Sequence, residues 1–586
     1  MSERKTPAEF YKEILDFAEI ELREQKNSVR EELERSLDER LTRGRCVTDL
    51  RYFGRTANGA CRFVCADNLS DLREGDIVII HPGNPFEFTS LMSWAGDGFL
   101  PDGKEYVDLR FSNKNEVSFD ASLPYTVDAY YLDMSDVILR AIHELGSTER
   151  GRERILPLFM GELDDSVSLD EYDAAQDVAQ LDGFNDRQQE AIASAVASEW
   201  CSLIQGPPGT GKTRVLANIV KQRVERGERI LITACTHRAI HEALHAVHQA
   251  MPGFDRIAKI SQPVSDSRLC VPVHENFSQS PLAGISGAYV VGATAYAARN
   301  NRLAGVEFDC VIVDEASQMT LPLAIMAMLS ADTYVLIGDP KQLPPVVASC
   351  SAFDAACYSL FSRISLPHDL VRLNVTYRMN AEISNWVAES FYSGDLVPAE
   401  SCKNRMLKVP GSGSTKWLEE VLSEKNSLVW IPTSTNNTRQ YSMEEAALIH
   451  EIICELFRRG FDLSDVAVIT PFRRQARIIR RRLMQSGYLV PDMLSSVVID
   501  TVDRMQGQER PLIIVSTAAS DPGFLAAIQE FVYLPQRLNV AVSRARSKCI
   551  VLGSDSFVRP AYINEEIVEA VGYWSSLRSS SVVVDV

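Results

Sequence analysis

The segment that most constrains this chain is Gly206-Pro-Pro-Gly-Thr-Gly-Lys-Thr213. The apolar run Ser202-Leu-Ile204 precedes it and the helix-like segment Arg214–Val224 follows it, so the pattern is strand, glycine-rich loop and helix. Backbone N–H groups of such a loop point at bound phosphate, and the helix N-terminus adds partial positive charge. The sequence therefore predicts a nucleotide site on a parallel α/β sheet, which an ordinary glycine-rich turn explains poorly.

Several residues of this loop have a predicted role. We expect the backbone N–H groups of Gly209, Gly211 and Lys212 to form an anion nest around the phosphates. The Lys212 ammonium would neutralise the β- and γ-phosphates, and the Thr213 hydroxyl would bind Mg²⁺. The residues predicted to bind nucleotide here are Gly206, Pro207, Pro208, Gly209, Thr210, Gly211, Lys212, Thr213 and Arg214.

A second segment, Phe308-Asp-Cys-Val-Ile-Val-Asp314-Glu315, ends an apolar strand with two carboxylates. Ligands of parallel sheets bind at the carboxyl ends of the strands. We expect Asp314 to hold the Mg²⁺ through water and Glu315 to orient and deprotonate the attacking water. An acidic pair at a strand end is common, so its weight comes from sharing a sheet with the loop. No guanine-reading Asn-Lys-x-Asp segment follows, which favours ATP.

Length and charge limit the possible functions. At 586 residues and about 150 residues per domain, the chain predicts roughly three to four domains. The 60 Lys and Arg against 79 Asp and Glu give a net charge of −19, which by itself argues against binding a polyanion. The arginine-rich run Phe472–Leu483 is an exception. It predicts either a nucleic-acid track or a solvated cationic helix face.

Cysteine spacing and hydropathy exclude other classes. The 12 cysteines contain no Cys-x-x-Cys pair, so free thiols are predicted instead of a zinc module or an iron–sulfur cluster. There is no apolar signal region at the N-terminus, and no apolar stretch of about 18 residues occurs. We expect an intracellular, cytoplasmic and soluble protein without a membrane partner.

The texture of the chain changes along its length. From about Ala8 to Arg43 it is dense in charged residues, and an apolar stripe recurs every four residues. This predicts a long exposed helix or a helical pair lying on another part of the molecule, with a simple N-terminal cap helix as the alternative. That stripe consists of Val29, Leu33, Leu37 and Leu41. Short β-branched runs between Cys46 and Val127 predict a small barrel. A helix is expected at Met134–Leu145, and the acidic stretch from Glu162 to Asp182 predicts a linker.

From Phe184 onward, apolar strands alternate with helix-length segments, which is typical of parallel α/β domains. One predicted series is Ser202–Ile204, Ile230–Ile232, Tyr289–Val291, Cys310–Val313 and Tyr334–Ile337. A second series is Val466–Ile469, Val497–Ile499, Leu512–Val515 and Cys549–Leu552. Two series imply two sheets and hence two α/β domains.

Seven segments together resemble the superfamily 1 helicases of the up-frameshift type. That family also includes the immunoglobulin mu-binding-protein helicase and the helicase half of the replication nuclease-helicase. The segments are Phe184-Asn-Asp-Arg-Gln188, Asp314-Glu-Ala-Ser-Gln318, Leu336-Ile-Gly-Asp-Pro-Lys-Gln-Leu-Pro-Pro345, Leu373-Asn-Val-Thr-Tyr-Arg-Met-Asn380, Ile469-Thr-Pro-Phe-Arg473, Asp500-Thr-Val-Asp-Arg-Met-Gln-Gly-Gln-Glu509 and Arg537-Leu-Asn-Val-Ala-Val-Ser-Arg-Ala-Arg546.

The resemblance implies roles for further nucleotide-site residues. Gln188 would read the adenine edge and Gln342 would contact the γ-phosphate. Tyr377 would stack on the base, Arg378 would reach the γ-phosphate, and Glu509 would meet the ribose or the linkage across the cleft. Arg544 would be the arginine finger. The catalytic set is then Lys212, Asp314, Glu315, Gln342, Arg378 and Arg544, with Thr213 and Asp314 at the metal.

Strand contacts are also implied, with one departure from the family pattern. The family has Ala-x-Ser-Asn-x-Ala-Val-Asp after the second strand, whereas this chain has Ala234-Cys-Thr-His-Arg-Ala-Ile-His241. Thr236 retains a hydroxyl that can donate to a phosphate, while His237 replaces Asn and His241 replaces Asp. The full set of predicted nucleic-acid contacts is Thr236, His237, Thr294, Thr470, Pro471, Arg473 and Thr501.

The implied fold is α/β, with two RecA-like parallel-sheet domains in tandem and an N-terminal helical stalk carrying a small β-barrel. The predicted boundaries are 1–45 for the stalk helices, 46–130 for the barrel, 131–182 for the returning stalk helix and linker, 183–365 for motor domain 1 and 366–586 for motor domain 2.

The implied activity is an ATP-dependent, monomeric motor that moves 5′ to 3′ along single-stranded nucleic acid and unwinds duplexes, using ATP and Mg²⁺. A targeting partner protein, unidentified by the sequence, is expected. The alternatives are a translocase that displaces proteins without separating strands, and an ATP-gated clamp that does not travel. RNA and DNA both remain open as substrates, since read-out would rest on backbone and sugar contacts.

Overall fold

Two parallel sheets, a closed barrel and a helical stalk make up the computed structural model of this chain. It describes residues 6–72, 74–100, 103–111, 117–161, 167–262, 269–350, 354–364, 370–485 and 496–586. The predicted fold class, tandem RecA-like domains with an N-terminal barrel on a stalk, is confirmed. No helix in these ranges combines the length and apolar character needed to cross a bilayer.

The stalk begins with helix α1, Pro7–Glu34, which Thr6 caps through a capping box with Glu9. A second capping box, formed by Ser36 and Glu39, starts the separate short helix α2, Leu37–Thr42. The two helices match the predicted helical pair, but the predicted stripe is divided between them, with Val29 and Leu33 on α1 and Leu37 and Leu41 on α2. Of the four stripe residues only Leu33 is buried, and Leu37 is exposed.

Helix α1 packs on helix α3, Ser135–Ser147, in the predicted returning position. Phe10 and Ile14 of α1 share one hydrophobic core with Ile142 and Leu145 of α3. Because that core continues into the first α/β domain, the stalk is fixed to motor domain 1.

Six antiparallel strands close into the barrel in the order β1-β2-β5-β4-β3-β6. Buried and half-buried residues alternate along β2, as expected for a wall with one side in the core. Trp94 and Phe63 fill the interior. The strands are β1 Cys46–Arg55, β2 Cys61–Cys65, β3 Ile77–His81, β4 Ser90–Phe99, β5 Glu105–Phe111 and β6 Tyr125–Ala129.

The first large sheet has the order β10-β9-β11-β8-β12-β13-β7-β14, and its strand pairs are parallel. Its strands are β7 Cys201–Gln205, β8 Arg229–Thr233, β9 Ile257–Ile260, β10 Val273–His274, β11 Tyr289–Gly292, β12 Cys310–Val313, β13 Thr333–Gly338 and β14 Leu370–Arg372. Its helices are α4 Leu156–Met160, α5 Leu169–Leu181, α6 Asp186–Ala197, α7 Lys212–Glu225, α8 His237–Ala250, α9 Ala295–Arg299, α10 Leu321–Met328 and α11 Leu360–Arg363.

Two features of this part differ from expectation. The segment predicted as a linker contains helix α5, which packs on α6 and buries Ala175 and Ala179. Residues 162–166 of that segment lie outside the described residues. In addition, β14 pairs with β7 through Leu370 and Leu203, so the first sheet continues past residue 365.

The second large sheet has the order β19-β18-β20-β21-β17-β22 and is also parallel. A separate two-stranded pair, β15 Val375–Thr376 and β16 Val397–Pro398, precedes it. The strands of the second large sheet are β17 Leu428–Thr433, β18 Val466–Thr470, β19 Val498–Thr501, β20 Arg510–Ser516, β21 Ala545–Ser554 and β22 Val582–Val583. Its helices are α12 Ala381–Phe391, α13 Glu400–Lys403, α14 Lys416–Val421, α15 Met443–Arg458, α16 Arg473–Gln485, α17 Pro522–Ala527, α18 Gln529–Val532, α19 Pro535–Ser543, α20 Asp555–Val558 and α21 Val568–Ser580.

Candidate active site and strand contacts

The glycine-rich loop joins β7 to α7, as its sequence context predicts. Gly209 and Gly211 have φ values of 75° and 83°, a region that favours glycine. Lys212 Nζ donates to the carbonyl of Gly206 at 2.6 Å, and a Cβ at Gly206 would clash with the Lys212 side chain. The Lys212 side chain therefore lies across the glycine-rich loop, and its ammonium is placed to contact a phosphate bound there.

The two predicted catalytic carboxylates follow β12, which lies in the same sheet as β7. Asp314 is buried, and its carboxylate accepts the N–H of Glu315 at 3.0 Å. Burial, and then the charge of Glu315, raise the pKa of Asp314 to about 7, although Lys212 lowers it. Lys212 therefore offsets only part of the negative charge of the acidic corner, which is defined as Asp314 and Glu315.

The acidic corner fits the metal ion that the sequence implies. Mg²⁺ prefers hard oxygen ligands and usually combines one or two protein oxygens with water and phosphate. Asp314 offers a buried carboxylate that lacks full charge compensation, and Thr213 offers a hydroxyl at the start of α7. These are the two residues that would hold the ion.

The predicted adenine side is built around the N-terminus of α6. Asn185 caps this helix in a capping box with Gln188. The Gln188 amide is buried and donates to the carbonyl of Thr210 at 2.9 Å, and Asn185 Nδ2 donates to the Tyr377 hydroxyl at 2.8 Å. Tyr377 remains 40% exposed, so its predicted stacking on the base stays compatible with its position.

The start of the second motor domain packs directly against the glycine-rich loop. The Tyr377 N–H donates to the carbonyl of Gly209 at 2.8 Å. A Cβ at Gly209 would lie 2.5 Å from both Arg378 Cβ and Thr376 Oγ1. Glycine at this position is therefore also what allows the two domains to meet.

Four predicted residues come together across this domain contact. Arg378 Nε donates to Glu509 Oε2 at 2.5 Å. Burial opposes the charge of Glu509, but the Arg378 guanidinium holds the Glu509 pKa below its ordinary value. Arg544 Nη2 donates to Gln342 Oε1 at 3.1 Å. Burial, and then the charge of Arg378, lower the pKa of Arg544 to about 9.

A buried network beside these residues received no individual role from the sequence. The Tyr392 hydroxyl donates to Asp339 Oδ2 at 2.6 Å, and Asn539 Nδ2 donates to that hydroxyl at 2.9 Å. Gln342 Nε2 also donates to Asp339 Oδ2, at 2.8 Å. Asp339 follows β13 of the first sheet, whereas Tyr392 and Asn539 belong to the second motor domain. Asp339 and Asn539 lie inside segments that the sequence analysis singled out, but only their positions in space reveal the link to each other and to Tyr392.

Arg214 occupies a different environment from the rest of the loop. Its guanidinium lies 4.1 Å above the Phe184 ring, and Nη2 donates to the Asp182 carbonyl at 2.8 Å. Its predicted contact to nucleotide remains a prediction, and the Phe184 ring is its observed partner.

In the first sheet, two predicted strand contacts follow neighbouring strands at one edge. Thr236 caps α8 after β8, and Thr294 caps α9 after β11. Desolvation, and then the charge of Lys259, lower the pKa of His237 to about 4, so this imidazole is neutral at physiological pH. The Lys259 ammonium also forms a close buried contact with His241.

In the second sheet, Thr470 and Thr501 end the neighbouring strands β18 and β19. Both side chains are buried, so only the backbone there, together with Pro471, could contact a strand. The Arg473 guanidinium instead donates to the carbonyl of Leu72 in the barrel. The first arginine of the arginine-rich run is therefore packed against the barrel, and the choice between a nucleic-acid track and a solvated face stays a prediction.

Two family models, each described as an AAA domain, match residues 188–348 and 356–556. Together with the tandem parallel sheets, these matches support a superfamily 1 helicase core in this chain. The mouse DNA replication ATP-dependent helicase/nuclease DNA2 is 29% identical over 449 residues, covering 70% of this chain and 41% of that protein.

A second relative is the fission yeast (Schizosaccharomyces pombe) DNA polymerase alpha-associated DNA helicase A. It is 29% identical over 446 residues, covering 64% of each chain. The solved structure of Arterivirus nonstructural protein 10 (helicase) aligns with a TM-score of 0.38 and 15% identity, over 89% of this chain and 81% of that one. The chain spans less than two thirds of the length of these curated relatives. The narrower up-frameshift assignment stays a prediction.

Proposed function

We propose that this chain is an ATP-driven motor that moves 5′ to 3′ along single-stranded DNA and unwinds duplexes. The observation that carries the proposal is the Arg544–Gln342 hydrogen bond, which joins the two motor domains at the nucleotide site. DNA is chosen over RNA because the reported relatives are named for DNA replication and DNA helicase activity.

The chemistry follows from charge at the γ-phosphate. Phosphoryl transfer to water needs little covalent help but strong positive charge around the transferred group. Lys212 supplies that charge from motor domain 1, and Arg378 and Arg544 supply it from motor domain 2. Glu315 orients the attacking water and accepts its proton. When bound, Mg²⁺ at Thr213 and Asp314 would neutralise phosphate charge.

Motion follows from dividing the site between domains. Because Arg378 and Arg544 belong to a different domain from Lys212, hydrolysis requires the domains to be closed. Gln342 touches Arg544 and also Asp339, so it can report the γ-phosphate to both domains. Loss of the phosphate then releases the closed state. A strand held along the edges with Thr236, Thr294 and Thr501 would be moved by each cycle.

The test compares ATP hydrolysis with matched single-stranded DNA and RNA at one stated salt concentration. We expect strong stimulation by DNA and unwinding of a duplex with a 5′ overhang. Lys212→Ala is the inactive control. Stimulation without unwinding would support a protein-displacing translocase, stimulation without movement a clamp, and no stimulation by either strand would overturn the proposal.

A further inference from the structure

The barrel and helix α16 meet through a dense set of charged contacts. Arg477 Nε donates to the Ser70 carbonyl at 2.9 Å, and Nη1 donates to Asp97 Oδ2 at 2.9 Å. Arg481 Nη2 donates to Glu105 Oε1 at 2.8 Å and also contacts Asp67. The arginine face is defined as Arg473, Arg477 and Arg481, and the barrel rim as Asp67, Ser70, Leu72, Asp97 and Glu105.

These contacts are partly shielded from water. The Arg477 and Asp97 side chains are only 10% and 22% exposed. Burial opposes the charge of Asp97, but Arg477 and then Arg480 hold the Asp97 pKa below its ordinary value. Charged pairs with so little exposure are screened less by salt than surface pairs. These shielded ion pairs therefore hold the barrel rim against helix α16.

The contacts still leave binding capacity on the arginine face. Arg477 Nη2 is buried and has no hydrogen-bond partner among the described residues. A buried donor without an acceptor is costly. The barrel rim thus satisfies the arginine face only in part, and another anion could satisfy it better.

The arginine face lies where a strand is expected. Helix α16 starts just after Thr470 and Pro471 at the end of β18, beside the end of β19 at Thr501. The Arg473 guanidinium donates a hydrogen bond to the Leu72 carbonyl of the barrel. Arg473 is itself one of the predicted strand contacts. The docked barrel therefore occupies cationic groups next to the strand-binding edge of motor domain 2.

We propose that the arginine face is a binding site for backbone phosphates that the barrel rim masks until a strand is loaded. Phosphate oxygens are charged acceptors like the rim carboxylates, so Arg477 and Arg481 would exchange one anionic partner for another. Arg473 would exchange the neutral Leu72 carbonyl for a charged acceptor. Release of counterions from the strand favours the exchange. The barrel then undocks from α16 when single-stranded nucleic acid binds. This inference rests on the proposed function.

The principal test weakens the barrel rim and leaves the arginine face intact. The double variant Asp97→Asn/Glu105→Gln weakens docking of the barrel on α16. A larger fraction of molecules then has the barrel undocked and the arginine face free to bind a strand. We expect a labelled thymidine oligonucleotide to bind roughly threefold to tenfold more tightly, with faster association. Asp108→Asn is the matched control, because Asp108 pairs with Arg62 within the barrel and should leave binding unchanged.

The opposite substitution acts on the binding site itself. Arg477→Gln also loosens the barrel, but it removes a phosphate partner. We expect weaker binding than in the rim variant and a salt dependence reduced by about one phosphate contact. A purely structural arginine would change thermal stability without changing this slope.

Hydrogen exchange measures undocking directly. Amides of residues 67–72 and of α16 should exchange faster in the rim variant, and in the wild type after the oligonucleotide is added. Asp67→Asn, at a half-exposed position, is the milder variant if the double substitution fails to fold.

The outcomes separate the two claims. Wild-type protein that binds no strand would overturn the proposed function. Wild-type protein that binds, with rim variants that bind and exchange like Asp108→Asn, would overturn only the masking of the arginine face.

Discussion

Glu315 shows how one residue combines backbone strain with chemistry. Its φ of 53° places it in the left-handed region, which a non-glycine residue occupies at a cost of about 1 to 3 kcal/mol. The Asp314 carboxylate accepts its N–H, and Gln318 Nε2 donates to its side chain at 3.3 Å. Strain at this position is consistent with a side chain held in place for a reaction.

Replacing Glu315 separates these two properties. Both Glu315→Gln and Glu315→Gly should abolish strand-stimulated ATP hydrolysis, since neither side chain can accept a proton. Only glycine adopts the positive φ at this position without strain. We therefore expect Glu315→Gly to be more stable than Glu315→Gln by about 1 kcal/mol, and to melt at a higher temperature. Calorimetry beside an ATPase assay measures both. Turnover in the glutamine variant would remove Glu315 from its catalytic role.

Arg544 can be tested as the arginine finger. Its guanidinium is almost fully buried and contacts the carbonyl of Val540 as well as Gln342. We expect Arg544→Ala to slow ATP hydrolysis by roughly a thousandfold or more, with nucleotide affinity nearly unchanged. Arg544→Lys, which keeps the charge but not the planar fork, should recover little. Equal losses of affinity and turnover would contradict this role.

At the level of elements, helix α15 is tied to the second sheet by a buried carboxyl group. Glu445 accepts hydrogen bonds from Ser516 Oγ at 2.5 Å and from the Ala518 N–H at 3.0 Å. Ala518 itself has a φ of 61°. Burial raises the pKa of Glu445 to about 7 despite these donors.

This raised pKa predicts a pH-dependent stability. A carboxyl group whose pKa is higher in the folded than in the unfolded state stabilises the fold fully only below its unfolded pKa of about 4.5. That contribution declines as pH rises through about 7. We expect Glu445→Gln to flatten the decline, by an amount on the order of 2 kcal/mol between pH 5 and pH 8. Thermal melts of both proteins across this range provide the measurement, and parallel curves would count against it.

The elements also show what the sequence can predict. Strands such as Cys310–Val313 were predictable because both faces of a parallel strand are buried and the run is uniformly apolar. A helical pair was among the predictions for the N-terminal segment, but the position of the break after α1 was not predictable, because the apolar stripe continues through the Ser36 capping box. Helix α5 was missed because its buried face consists only of small alanines.

At the scale of the whole molecule, the site is a contact between domains, and this limits prediction. The loop and the carboxylates were predictable because each is one continuous segment. The barrel contact of Arg477 joins residues about 380 positions apart, and no local pattern encodes it. The same holds for the link between Asp339 and Tyr392.

That link gives a prediction for the coupling of the two domains. The Tyr392 hydroxyl bridges Asp339 of the first domain and Asn539 of the second, and the side chain is buried. In Tyr392→Phe the ring still fills its place, but both hydrogen bonds are lost. A hydrogen bond to a charged group contributes about 1.5 to 3 kcal/mol, so closure of the domains should weaken by at least tenfold.

The proposed function requires strand binding to favour closure, so Tyr392→Phe should lower kcat with the strand present far more than basal hydrolysis. The KM for ATP should change little. Tyr573→Phe is the matched control, since Tyr573 donates to Glu569 within its own helix. Stimulated and basal rates that fall in proportion would show that Tyr392 only supports the fold, and a normal stimulated rate would show that closure does not depend on this bridge.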